Sequence, residues 1–126
     1  MPKVSKDSAA IQEDHGAVVA CSEDVAGHTI DFVTFNADVD ATPLLAGLPG
    51  NRCGCPHWGY VIRGRMTFAF DDHDEVFEAG DAFHVAGGHT PRADAGTEYV
   101  QFSPAGELRV VSDTIRRNME AMRANA

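Results

Sequence analysis

The sequence predicts an all-β domain followed by one C-terminal helix, on three observations. Short runs rich in β-branched and aromatic residues (AVVAC, HTIDFVTF, YVI, MTFAF, EVFE, AFHV and EYVQF) succeed one another from Ala17 onward, each bounded by Gly, Pro, Asn or Asp. Alternation is explicit at residues 65–70. Met66, Phe68 and Phe70 fall on one face and Arg65, Thr67 and Ala69 on the other, as in a strand buried on one side. Only the tail changes period: after Ser112, read as an N-cap, Ile115, Met119 and Met122 recur four and three residues apart.

Taken in order, residues 1–15 are polar and without pattern, and predict a flexible N-terminal arm. Its MPKVSKDSAAIQEDHG has no apolar run after the lysines, so it does not read as a secretory signal. Residues 16–111 form the β domain, and residues 112–126 an amphipathic helix packed on the barrel or on a partner subunit. The acidic run Asp71, Asp72, His73, Asp74 and Glu75 reads as a solvated turn before Val76 and Phe77.

A chain of 126 residues buries one self-sufficient core, and 44% apolar with 23% charged residues is ordinary for a globular domain. Ten Lys and Arg against nineteen Asp and Glu give a formal charge of −9, which disfavours nucleic acid and anionic membranes as partners. The expected location is cytoplasmic. Cys21, Cys53 and Cys55 are odd in number, so no disulfide framework is expected.

Two stretches, CGCPHWGYVIRGRMTFAF at 53–70 and EAGDAFHVAGGHTPRADAGTEYVQFSP at 78–104, resemble the two conserved motifs of the cupin superfamily. The first runs through Tyr60-Val61-Ile62-Arg63 to Gly64. The second opens on Gly80-Asp81 and continues to Gly88-His89, with fifteen residues between Gly64 and Gly80. The resemblance implies a jelly-roll β-barrel in which Gly64 reverses the chain sharply, Asp81 caps a turn, and inward residues near the barrel mouth form a pocket. It also implies a homodimer paired through β strands.

The metal-ligand pattern of that superfamily is not reproduced. Counted back from Gly64, its His-x-His pair falls on Gly50 and Arg52 and its Glu on His57; its fourth ligand, counted three residues on from Gly88 of the second motif, falls on Pro91. His57 and His89 remain as pocket residues, with Trp58 and Tyr60 beside them. Cys53 and Cys55 precede His57 by four and two residues, so with His57 and His89 they offer a zinc-type set of two thiolates and two imidazoles. Other readings stay open: the cysteines as small buried residues beside Pro56, or Cys55 as a thiolate activated by His57. Glu98 and Gln101 differ in strand parity, so at most one of them faces inward on a regular strand. Tyr99 has a hydroxyl to offer the pocket, and Arg92 is either a partner for an acidic ligand or half of a surface ion pair.

The function expected is binding of a small molecule in the pocket around His57 and His89, with a zinc-type metal and catalysis as two separable layers. With a metal, the chain suits a lyase, isomerase or cyclase. The alternative is a ligand-sensing or structural cupin without metal. A closed four-ligand site would make the metal structural, and an open position would suit catalysis.

Overall fold

The computed structural model describes residues 2–124 of the chain. Ten strands run in order: β1 (Ile11–Asp14), β2 (Val18–Val25), β3 (His28–Phe35), β4 (Val39–Asp40), β5 (His57–Arg63), β6 (Arg65–Ala69), β7 (Asp74–Glu78), β8 (Ala82–Val85), β9 (Thr90–Ala93) and β10 (Glu98–Pro104). Helix α1 (Ala105–Ala124) follows β10 directly, and two 3₁₀ turns, Thr42–Leu45 and Pro49–Asn51, lie between β4 and β5. The strands form a six-stranded sheet ordered β1-β2-β3-β10-β5-β8 and a four-stranded sheet ordered β4-β9-β6-β7. Every pairing is antiparallel. This is the all-β, jelly-roll type of architecture that the sequence predicts, with a C-terminal helix.

The core lies between the sheets. Met66 and Phe68 from β6 meet Val61, Phe83, Val85 and Tyr99 from the larger sheet, and Phe83 lies 5.7 Å from Phe68 and 5.1 Å from Phe77, ring to ring. Val61, Met66 and Val85 are wholly buried; each such side chain contributes about 1.5–3 kcal/mol relative to exposure.

Antiparallel register aligns inward residues of the larger sheet in rows. One row is Ala20, Val33, Tyr99 and Val61, and the next is Ser22, Asp31, Gln101 and Gly59. The third runs Asp24, Thr29 and Ser103, with His57 beside Ser103. The inner face therefore grades from apolar to polar along the strands.

The chain crosses from one sheet to the other at Gly64, whose φ is +80°. A side chain there would overlap Thr97, whose hydroxyl accepts from Arg65 N and donates to Arg65 O, both at 3.0 Å. At the second motif, Asp81 Oδ2 accepts from Glu78 N at 2.8 Å, the turn cap expected of that residue.

The structure differs from the expected boundaries at both ends. Residues 1–15 are not wholly an arm: Ile11–Asp14 form an edge strand on β2, and an ion pair of 2.6 Å ties Lys6 to Glu98. The helix begins at Ala105 rather than after Ser112, because Leu108, Val111 and Ile115 already make one apolar stripe with helical spacing. Ser112 is thus an interior helical residue, Met122 is exposed rather than part of the stripe, and residues 125–126 lie outside the described ones. Leu108 and Val111 pack on Leu45, Leu48, Cys53 and Cys55. Asn118 holds the helix to the 3₁₀ turns by donating to Leu44 O at 2.8 Å and Ala46 O at 2.9 Å. Among the described residues no helix is long and apolar enough to cross a membrane.

Candidate metal centre and ligand cavity

A cavity of about 390 Å³ lies between the sheets beneath α1, a size that suits a small molecule. Its walls are mainly apolar, with Val33, Phe35, Leu45, Met66 and Phe68 among them, and Cys53 and His57 open onto it. Two exposed ion pairs join α1 to the opposite rim, Arg116 to Glu13 at 2.8 Å and Arg109 to Asp24 at 3.6 Å.

Cys53, His57 and His89 are brought together at one side of this cavity. Cys53 sits in the loop before β5, and an isolated bridge fastens it to His89 through Cys53 N to His89 O at 2.9 Å. The adjoining Gly88 N donates to Cys53 O at 2.8 Å. Gly87 allows this approach: a Cβ there would collide with the carbonyl of Gly54, whereas one on Gly54 would meet open space. His57, first residue of β5, points inward with Gly59 and Val61 by strand alternation.

One potential ligand atom from each residue lies within 4.8 Å of the other two, and all three residues are buried. Cys53 Sγ and His57 Nε2 are 3.6 Å apart, close to the ~3.6 Å that tetrahedral zinc with Zn–S near 2.3 Å and Zn–N near 2.0 Å demands. His89 Nδ1 lies 2.7 Å from Ala86 O. A carbonyl only accepts, so Nδ1 carries the proton and Nε2 carries a bare lone pair. That Nε2 is buried and has no partner among the described residues. His57 Nδ1 contacts Ser103 Oγ at 2.7 Å, which fixes the ring from behind.

Burial and the neighbouring His89 lower the His57 pKa to about 3, and burial lowers that of His89 as well. Both imidazoles are therefore neutral at pH 7, the form in which they coordinate a metal. Burial pushes the thiols the other way, Cys53 up to about 11 and Cys55 up to about 12. A nucleophilic Cys55 thiolate needs a lowered pKa, so its environment opposes that reading. A cation on Cys53 would supply the charge that keeps its thiolate.

The other expected site residues separate by face. Cys55 does not converge with the three: its thiol donates to Pro56 O at 3.4 Å and it packs with Leu108 and Val111. The loop containing Pro56 is not a strand, so spacing of two residues does not impose a common face. Trp58 and Tyr60 are each 45% exposed on the outer side of the larger sheet and do not line the cavity. Alternation from an inward His57 requires this. His89 stands behind the wall rather than in it. Tyr99 and Gln101 line the cavity, while Glu98 faces outward to Lys6 and Arg63. Arg92 forms an exposed ion pair with Asp74 at 3.0 Å. Sequence reasoning missed Asp31 and Ser103, both inward on the larger sheet.

No family model matches the chain, and no curated protein matches it. Solved structures do. A protein of unknown function from Rhizobium leguminosarum bv. viciae 3841 superposes with a TM-score of 0.59 at 15% identity, covering 82% of this chain and 95% of that one. A cupin superfamily protein from Desulfitobacterium hafniense DCB-2 superposes with a TM-score of 0.53 at 13% identity, covering 75% of this chain and 83% of that one. At these identities the likeness concerns the fold.

Proposed function

We propose that this chain, which has the cupin fold, is a metal-dependent protein that takes a small molecule into the cavity beside Cys53, His57 and His89. The observation that carries the reading is the bare, buried Nε2 of His89, on a residue that groups with Cys53 and His57 so that one potential ligand atom from each lies within 4.8 Å of the other two. Leaving such an atom unpaired costs about 1–3 kcal/mol, which a bound cation offsets. One thiolate and two imidazoles favour zinc. Three protein ligands rather than four leave a coordination position open, which suits lyase-, isomerase- or cyclase-type chemistry rather than a purely structural ion.

Zinc in this position would supply Lewis acidity or an activated water. The protein's own groups do the rest. Ser103 and Ala86 O hold the two imidazole rings in place, and residues of α1 and the apolar walls line the cavity onto which His57 opens.

Elemental analysis of untagged protein from zinc-supplemented cells tests this. One zinc per chain is expected in the wild type and in Cys55→Ala, with loss of the ion in Cys53→Ser, His57→Ala and His89→Ala. Wild-type protein without metal, or loss of zinc in Cys55→Ala alone, would overturn the reading and leave a metal-free binding module.

We further infer a homodimer through the outer face of the larger sheet. Trp58, Tyr60, Ile62 and Phe102 are 40–45% exposed there, and Trp58 pairs directly with Phe102 across β5 and β10. A second copy related by a two-fold axis presents the same apolar surface and covers it. Sedimentation should give a dimer for the wild type and a monomer for Trp58→Glu; a monomeric wild type would refute the interface.

A further inference from the structure

The cavity holds a second polar set that the metal centre does not use. Asp31 on β3 and Gln101 on β10 are direct cross-strand partners, and both line the cavity. Gln101 is 6% exposed. Its Oε1 and Asp31 Oδ1 are closed to solvent, and neither has a hydrogen-bond partner among the described residues. Buried acceptors are normally paired, so two orphans on adjacent strands facing one cavity point to a ligand.

The chemistry of that ligand follows from the wall. Both vacant atoms are oxygen acceptors, and Ser22, next in the same row, adds a hydroxyl. The group they fit carries at least two donor hydrogens. Most remaining wall residues are apolar, so a sugar-like polyol would lose hydration at its other hydroxyls without replacement. The two guanidinium groups at the cavity, Arg109 and Arg116, are engaged with Asp24 and Glu13, which disfavours a carboxylate. Burial pushes the Asp31 carboxyl up to about 7, and a cation beside it restores the charged form.

We propose that Asp31 and Gln101 form a recognition subsite for a primary ammonium group borne on an apolar body. This rests on the reading of the cavity as a ligand site. It does not require the metal. Gln101 and Ser103 are alternate residues of β10, about 7 Å apart, so the ammonium anchor and the support of His57 share one wall.

Calorimetric titration at pH 8 tests the subsite with three pairs of probes: benzylamine and benzyl alcohol, hexylamine and hexanol, tryptamine and tryptophol. The protein is used zinc-loaded and chelator-stripped. At least one amine should bind ten-fold or more tightly than its alcohol, and Asp31→Asn should erase that preference. The variant is a neutral near-isostere, and its melting temperature reports that it is folded. Amines that bind no better than alcohols, or a preference unchanged in Asp31→Asn, would overturn the subsite. An amine preference in a protein that never takes up zinc supports the subsite and leaves the metal reading to fail alone.

Discussion

Gly87→Ala should lose both stability and the proposed zinc, while Gly54→Ala, on the other side of the same contact, should keep both. The added methyl at position 87 overlaps backbone atoms of Gly54, including its carbonyl carbon at 2.8 Å, and backbone cannot swing aside as a long side chain can. Relief requires the two loops to part, which stretches Gly88 N to Cys53 O and Cys53 N to His89 O. Overpacking of this kind costs about 1–3 kcal/mol, and weakened bridge hydrogen bonds add about 1 kcal/mol. For a domain of this size that lowers the melting temperature by roughly 5–15 °C. Because the same bridge sets Cys53 against His89, zinc affinity should fall about 10–100-fold, as it does when outer supports of a metal site are disturbed. Position 54 lacks both the overlap and a positive φ. Thermal melts and zinc competition on the two variants measure the contrast; equal behaviour would contradict it.

The second large effect concerns Asp31 and pH. Burial raises its folded-state pKa from the usual 3.8 to about 7, opposed by the Gln101 amide and reinforced by the charge of Glu13. The folded protein therefore binds this proton more tightly than the unfolded chain does. Its contribution to stability is most favourable below pH 4, is lost as pH rises through about 7, and is constant above that. At about 1.4 kcal/mol per pH unit the ceiling on the penalty is about 4 kcal/mol. Other charged groups share the cavity walls: Glu13 on β1, Asp24 on β2, and Arg109, Asp113 and Arg116 on α1. His57 and His89, with lowered pKa values, gain stability as pH rises in the same window and partly mask the slope. The difference between two proteins removes that background. Urea unfolding of zinc-stripped wild type and Asp31→Asn should agree near pH 4 and diverge by pH 8, with Asp31→Asn the more stable by up to about 4 kcal/mol. Parallel profiles would show that burial does not raise the Asp31 pKa in the folded protein.

Much of the fold was legible because its signals are local. Alternation along Met66-Thr67-Phe68, the Gly64 crossing and the Asp81 cap each depend on a few neighbouring residues. Parity also separated Gln101 from Glu98 correctly. The same rule, applied from an inward His57, places Trp58 and Tyr60 outside, so their grouping with the pocket set aside a signal that was present. Cys55 was not legible in this way, since parity has no meaning in the loop that precedes β5. Asp31 was hidden for another reason. In HTIDFVTF both faces carry apolar residues, Ile30 and Phe32 on one and Val33 and Phe35 on the other, so periodicity alone does not say which side faces the cavity. The start of α1 was obscured because β10 runs into it with no intervening loop.

The bridge between Cys53 and His89 joins loops thirty-six positions apart in the chain. An ion held there closes that span as a reversible cross-link, and closing a long loop removes freedom chiefly from the unfolded chain. If that ion is the proposed zinc, mass action would make the folded state more stable by about 4 kcal/mol at a thousand-fold excess of free zinc over the dissociation constant. The abundance of folded protein in a cell would accordingly track metal supply, independently of any reaction in the cavity.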